Sequence, residues 1–260
     1  MKNESILLNI KNILWNNLLV LVLLVLWLVI GWLEWNNEVF VPSLSKVIIN
    51  TVTLLLTVKF WTHIIASVSV IASGFLLSVL IAIPIGIIMG SYTKANSALQ
   101  NFIELIRPIS PLALYPLFIF MFGIGFMSKL MIVFWVSWVP LLFNVITGVQ
   151  RINENYLRMA KTLGASKIQM LTEVILPAIT PWIITGMRLA MGSALLVIVA
   201  AEMIGSNKGI GFFILNASYT FKIVDLYSGI LVIAIIGILI NACFLLWEKR
   251  TQIYNNKIKI

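Results

Sequence analysis

The sequence predicts an all-α membrane protein: a single transmembrane domain over residues 1–260 with six membrane-spanning helices. Hydrophobic residues make up 61% of the chain and charged residues 10%, whereas a soluble domain carries roughly 25% charged residues. The mean hydropathy is +1.05. Apolar runs such as residues 18–30 lack the polar alternation of a membrane-spanning β-strand, so helices are predicted instead.

The six spans follow from uncharged apolar stretches, since a helix needs about 20 residues to cross ~30 Å of hydrocarbon. The first is predicted to be retained, because it leads into Glu34 and Trp35 and not into a small-residue cleavage site. The stretch between Lys46 and Lys59 is too short to cross and predicts an interfacial helix over about 44–60. The spans cover approximately 13–33, 64–90, 100–126, 129–149, 178–204 and 226–247.

The basic residues predict the orientation of the spans, because cytoplasmic loops carry an excess of Lys and Arg. With both termini in the cytoplasm, eleven basic residues lie inside and five outside. The net charge of +9 is thereby explained without binding of nucleic acid. The inner set is Lys2, Lys11, Lys94, Arg151, Arg158, Lys161, Lys167, Lys249, Arg250, Lys257 and Lys259; the outer set is Lys46, Lys59, Lys129, Lys208 and Lys222.

Several kinds of chemistry are excluded by residue counts. His63 is the only histidine and Cys243 the only cysteine, so no histidine metal cluster, Ser-His-Asp triad or internal disulfide is expected. The chain contains no Gly-Lys dipeptide and therefore no phosphate-binding loop of the kind that holds ATP. We predict no catalytic residue, no metal and no cofactor.

The loop over residues 151–177, between spans four and five, has a regular pattern. Tyr156, Ala160 and Leu163 recur at helical spacing, and Gly164 predicts the end of that helix. Ser166 and Gln169 match a capping box that starts a second helix, and Leu176-Pro177 predicts its end. Two interpretations stay open on spacing alone: an amphipathic loop on lipid headgroups, or a knob that docks on a partner.

A wider set of motifs resembles the permeases of ABC importers, of the nitrate, sulfonate and taurine family. The resemblance covers roughly residues 40–248. Its central signature is Glu-Ala-Ala, three residues, Gly, about nine residues, then an apolar residue, often one more, Leu and Pro. The matching residues in the loop are Arg158, Met159, Ala160, Gly164, Ala165, Leu176 and Pro177; further matches are Val41-Pro42-Ser43, Arg107-Pro108, the 111–117 and 122–125 stretches, the 186–192 stretch, Ala201-Glu202-Met203 and Gly209-Ile210-Gly211.

The resemblance implies a cytoplasmic coupling loop at 151–177 that docks on a dimer of ABC ATPases, which bind the ATP. It further implies a bacterial inner-membrane location, an extracytoplasmic substrate-binding protein, a second copy of this chain and contact with lipid. The implied substrate is a small organic or inorganic anion of the sulfonate, taurine or nitrate kind. Relatives that carry vitamin precursors or flavins leave a second substrate class open, and an ion-coupled secondary transporter is a further alternative. Arg158 stands where the signature has Glu, which reverses the charge at that position.

Ionisable residues inside apolar segments usually face a cavity or a partner, because burying them in lipid is costly. Arg107 and Arg188 are hypothesised to line the translocation pathway, and Glu202 with the glycines Gly209 and Gly211 to form an outer gate. The alternative for each charged residue is an internally paired structural group. Glycines within spans are expected to permit close helix packing; they are Gly74, Gly86, Gly186 and Gly192.

Overall fold

The structure is a computed structural model. It describes residues 41–92 and 108–258, with side chains to Thr251, and isolated positions at 18, 22, 25, 27, 29, 101, 103, 105 and 106. In this described part all regular structure is helical, as predicted. The helices are α1 (Leu44–Leu55), α2 (Val58–Ser91), α3 (Pro111–Phe122), α4 (Phe126–Gln150), α5 (Glu154–Thr162), α6 (Lys167–Gln169), α7 (Leu176–Gly205), α8 (Ile210–Tyr219) and α9 (Ile223–Ile258).

Four of these segments are long and apolar enough to cross a membrane: Val58–Ser91, Phe126–Gln150, Lys167–Gly205 and Ile223–Thr251. They correspond in position to predicted spans two, four, five and six. The predicted first span, 13–33, lies outside the described residues apart from five helical positions.

The predicted third span, 100–126, is not one helix where the chain is described. Residues 108–110 are non-helical, and α3 occupies only Pro111–Phe122. Pro108 and Pro111 explain the interruption, since proline lacks an N–H and disfavours helical backbone at the residue before it. Gly123, with φ of +76°, then ends α3.

The predicted interfacial helix over 44–60 is shorter in the structure. The helix α1 ends at Leu55, and Lys59 already belongs to α2. The Thr57 hydroxyl donates to the Leu54 carbonyl at 2.7 Å, which satisfies one of the carbonyl groups left free where α1 ends.

Chain contacts divide the protein into two compact units, Met1–Val58 with Ile214–Val232 and Lys59–Phe213 with Ile233–Ile260. In the smaller unit, Asn50 of α1 donates to Asp225 Oδ1 at 2.8 Å and to Ser228 Oγ at 3.0 Å. Ser228 is fully buried, so this polar cluster fixes the register of α1 against the beginning of α9.

In the larger unit, glycines of α2 lie against valines of α4. A Cβ atom added at Gly74 would come within 2.7 Å of Val133, and one added at Gly86 within 2.7 Å of Val145. The two helices therefore approach more closely than side chains would allow, as predicted for glycines within spans. Leu141, Leu142 and Ala82 are completely buried in the hydrophobic core of this unit.

The second helix of the 151–177 loop does not end at Leu176-Pro177, and that prediction is wrong. The helix continues from Lys167 to Gly205 through a π-helical stretch at Met170–Ile175. The wider π turn accommodates Pro177, which can neither donate a backbone hydrogen bond nor fit its ring into a regular α-helical turn. The second helix of the 151–177 loop is thus continuous with the following span.

Candidate functional site

The 151–177 loop has both of its bends fixed by local hydrogen bonds. Gly164 has φ of +82°, and its N–H donates to Lys161 O while Ala165 N–H donates to Ala160 O, both at 3.0 Å. These two bonds form a Schellman motif, which requires left-handed backbone at the glycine. The geometry of α5 relative to the next residues is therefore defined by the backbone.

The predicted capping box at the start of α6 is confirmed. Gln169 N–H donates to Ser166 Oγ at 3.2 Å, and Ser166 N–H donates to Gln169 Oε1 at 2.9 Å. At the other end of the loop, the Asn153 side chain accepts from Asn155 N–H at 3.0 Å and caps α5. Both short helices thus begin at a side-chain cap.

Four apolar side chains of this loop are exposed. The exposed fractions are 59% for Tyr156, 61% for Met159, 85% for Leu163 and 74% for Ile168. Tyr156, Met159 and Leu163 recur at helical spacing, and exposed apolar side chains on one face are typical of a surface that binds a partner. Among the predicted coupling residues, Arg158, Gly164 and Pro177 are also exposed, and Ala160, Ala165 and Leu176 are half-buried.

A cavity of about 630 Å³ lies beside this loop, between the end of α4 and the beginning of α7. Its lining includes Arg151, Tyr156, Glu173, Pro177 and Trp182. The Arg151 guanidinium lies 4.9 Å from the centre of the Trp182 ring, a cation–π contact. That contact holds the C-terminal end of α4 against α7, beside the loop.

The three residues predicted as an outer gate lie together in the structure. Glu202 is fully buried, and its Oε2 accepts from Gly211 N–H at 2.9 Å. The Ser67 hydroxyl on α2 lies 2.8 Å and 2.9 Å from the two carboxylate oxygens, and Ser67 Oγ also accepts from Ile210 N–H at 2.9 Å. A Cβ atom at Gly209 would collide with the Glu202 carboxylate, so glycine is required at that position.

His63 of α2 completes this group, which we call the Glu202 cluster (His63, Ser67, Glu202, Gly209 and Gly211). Its Nδ1 accepts from Gly209 N–H at 3.2 Å, and its ring stacks with Phe212 at 6.0 Å between centroids. Sequence reasoning did not place Ser67 or His63 here, because nothing local in the sequence indicates which face of α2 they occupy.

Lys129 was predicted only as an external loop charge, and the structure gives it a different environment. It is 7% exposed in the first turns of α4, and its Nζ donates to Ser206 Oγ at 2.9 Å. The Ser206 hydroxyl also donates to the Lys208 carbonyl and accepts from the Lys208 N–H. Lys129 thereby fixes the 205–209 loop that precedes Gly209.

Arg188 is paired within the chain. Its guanidinium lies 3.2 Å from Glu248 Oε2, and Glu248 Oε1 accepts from the Thr185 hydroxyl at 3.1 Å. The pair joins α7 to α9, which is the arrangement expected of a structural group. Arg107 lies outside the described residues.

A further cavity of about 510 Å³ lies between α3, α4 and α7. Its lining is mainly apolar, with Trp135, Pro140, Asn144, Leu189 and Ser193 among the contributing residues. Asn144 Nδ2 donates to the Pro140 carbonyl at 2.8 Å. None of the predicted charged residues that the structure describes lines this cavity.

Comparison with known proteins gives a consistent set of relatives. The sequence profile of the family described as binding-protein-dependent transport system inner membrane component matches residues 82–251. The taurine transport system permease protein TauC of Escherichia coli is 32% identical over 243 residues, covering 92% of this chain and 88% of that protein. A bicarbonate transport system permease protein, CmpB of Synechococcus elongatus, is 34% identical and covers 75% of this chain and 70% of that protein.

A putative ABC transporter permease of Methanocaldococcus jannaschii is 35% identical over 229 residues, covering 86% of each chain. Among solved structures, a chain of the MetNI methionine ABC transporter in an inward-facing conformation superposes with a TM-score of 0.60. That match covers 78% of this chain and 98% of the other at 15% identity, so it supports only the similarity of fold.

Proposed function

This chain belongs to the family of binding-protein-dependent transport system inner membrane components, and from that premise we propose that it is the permease subunit of an ABC importer. It forms the substrate pathway, while separate ATPase subunits in the cytoplasm bind and hydrolyse ATP. An extracytoplasmic binding protein delivers the substrate, and a second copy of the chain completes the pathway. The chain itself has no ATPase site.

The observation that carries this proposal is the pair of capped short helices in the 151–177 loop, with exposed apolar side chains on the first. Tyr156, Met159 and Leu163 are exposed on a helix whose end is fixed by Gly164, and the loop continues through α6 without a break into α7. An ATPase that binds this surface would act on α7 through α6 and the π-helical stretch, which continues into α7. An amphipathic loop resting on lipid has no need of two capped helices and a Schellman bend.

Within this coupling loop, the charge reversal at Arg158 is partly offset inside the chain. Arg158 Nη2 lies 2.7 Å from Glu154 Oε2, one helical turn earlier, and both side chains are 75% exposed. Exposed pairs of this kind contribute little to stability. We therefore expect Arg158 to remain available to an acidic residue of the partner ATPase.

The proposed topology has six spans with both termini in the cytoplasm of a bacterial cell and the coupling loop on the same side. The four long apolar helices account for spans two, four, five and six. Span one is proposed from the apolar sequence at 13–33, and span three as the apolar but interrupted stretch 100–126, of which α3 is one helical part. The excess of Lys and Arg in the inner loops supports the orientation.

The proposed substrate is a small organic or inorganic anion, in keeping with relatives named for taurine, aliphatic sulfonates and bicarbonate. Glu202 with Gly209 and Gly211 forms the proposed outer gate, and Arg107 and Arg188 flank the proposed pathway. A vitamin precursor or flavin carried by the same machinery is the second candidate, favoured by the apolar, tryptophan-containing cavity of about 510 Å³.

Purification of the tagged chain with its neighbouring gene products tests the proposal. We expect an ATPase subunit to accompany the chain, and uptake in vesicles to be sensitive to vanadate and to survive collapse of ion gradients. Uptake that is abolished by gradient collapse, with no ATPase bound, would identify an ion-coupled secondary transporter instead. The ligand of the accompanying binding protein then decides between an anion and a flavin.

A further inference from the structure

A cavity of about 530 Å³ lies between the beginning of α4, the middle of α2 and the 205–208 loop. Its volume falls within the range of small-molecule sites, about 300–1,000 Å³. Two lysines, Lys129 and Lys208, contribute to its lining, together with Ser69 and Asn207, and none of the described lining residues carries a carboxylate. The lining is therefore positively charged.

Lys129 is the central group of this cavity. It is 7% exposed, and an ammonium group has three donors. Ser206 Oγ accepts one of them at 2.9 Å. Within the described part of the chain no carboxylate lies at ion-pair distance from Lys129 Nζ, so its charge is not compensated by direct contact. Ser206 supplies only a hydroxyl dipole, and its proton is already donated to the Lys208 carbonyl.

The backbone adds positive potential to the same place. The helix α4 begins after Gly125 with no side-chain cap and no acidic residue in its first turn. A helix N-terminus carries roughly half a positive charge, and a cation there is unfavourable. Lys129 stands near this end of a 25-residue helix, where a buried cation raises the potential further. An anion in the cavity would relieve both effects.

Glu202 is the nearby acidic group, and its carboxylate is already satisfied. Ser67 and Gly211 N–H hydrogen-bond to it, and it does not line the cavity. Glu202 is therefore held toward α2 and the 209–211 backbone. Glu202 acts on Lys129 across a distance and does not enter the cavity.

We propose that this cavity, the Lys129 site, binds a small oxyanion through Lys129 Nζ, with Lys208 as a second cation and Asn207 as a polar neighbour. The ligand class is a single sulfonate, carboxylate or bicarbonate group on a small molecule. The role of the site as the first station of the substrate on the permease rests on the proposed function. Binding of the anion itself depends only on the residues of the cavity.

Fluorine NMR of trifluoromethanesulfonate tests the site with the full chain in nanodiscs of zwitterionic lipid. We expect saturable line broadening of the probe that excess methanesulfonate reverses and that empty nanodiscs do not produce. Lys129→Met should weaken binding at least about tenfold, because a hydrogen bond to a charged group is lost. Lys129→Arg should retain it, and Lys59→Met, which removes a lysine outside the cavity, should leave it unchanged.

Equal broadening with Lys129→Met and the unaltered chain would overturn the proposal, provided that thermal unfolding shows both to be folded. Broadening that depends on Lys129 only when the binding protein is present would assign the lysine to protein docking and would also overturn it. Failure of the importer assignment has a different signature, namely the absence of an ATPase from the purified complex while Lys129-dependent binding of the probe persists.

Discussion

The Ser67 hydroxyl of α2 lies 2.8 Å and 2.9 Å from the two carboxylate oxygens of Glu202 on α7, 135 residues later in the chain. Both side chains are buried, and Ser67 Oγ also accepts the N–H of Ile210. One hydroxyl therefore joins two long helices and the beginning of α8. Glu202 is held in place by donors from separate elements, and in the described part of the chain no cation contacts it directly.

Replacing Ser67 with alanine should lower the free energy of unfolding by about 1–3 kcal/mol, because a buried carboxylate loses a donor. Thermal unfolding of the purified chain in detergent measures the change. Ser78→Ala is the matched control: Ser78 is as buried on the same helix, but its hydroxyl donates only to the Phe75 carbonyl one turn away. A shift as large for Ser78→Ala would contradict the importance given to the Ser67–Glu202 contact.

Gly211→Ala should be destabilising by about 1–3 kcal/mol, because the added methyl overpacks a filled site. Its Cβ would collide with the Val199 carbonyl and come within 2.9 Å of Glu202 Cβ. Gly237→Ala is the control, since its nearest neighbour, Leu195, is 3.8 Å away. There alanine should raise stability slightly through its better helix propensity. Melting temperatures of the two variants should therefore move in opposite directions, and a shared direction would argue against close packing at Gly211.

The Arg188–Glu248 pair allows the structural and pathway roles of Arg188 to be separated. Arg188→Met should cost about 1–3 kcal/mol, because it leaves the half-buried Glu248 carboxylate without its charged partner. The double variant Arg188→Met with Glu248→Met should recover most of that loss. Uptake by the assembled transporter then decides: recovery of stability and uptake together means a structural pair, whereas recovery of stability alone supports the proposed pathway role.

Local chemistry made the bends of the 151–177 loop predictable from sequence. The conformation of Gly164 and the capping box of Ser166 and Gln169 depend on residues within one helical turn, so a short pattern was sufficient. The helix end predicted at Pro177 was wrong, because the π-helical stretch before it lets the helix continue without the N–H that proline lacks. A proline pattern does not reveal that compensation.

Contacts between helices could not be predicted from the spacing of apolar residues in the sequence. Gly74, Gly86 and Gly186 were expected to permit close packing and do so, whereas a Cβ at Gly192 would meet nothing within 4 Å in the described chain. The rotation of each helix about its axis determines the difference. For the same reason, the contact of Lys129 with Ser206 was not predicted, and two interpretations of Arg188, paired or lining the pathway, stayed open.

Gly164 offers a test of mechanical coupling that spares the rest of the protein. None of the described atoms lies within 4 Å of an added Cβ, so a substitution there acts on this part of the chain through the left-handed backbone at φ of +82°. Such backbone costs most side chains about 1–2 kcal/mol, whereas asparagine tolerates it. We expect Gly164→Val to disturb the Schellman bend and to uncouple ATP hydrolysis from uptake in proteoliposomes, while insertion in the membrane and the melting temperature of the spans stay close to those of the unaltered chain. Gly164→Asn should couple almost normally. If Gly164→Val also transports one substrate for the same amount of ATP, the bend is not part of the force-bearing connection and the coupling residues must be sought elsewhere.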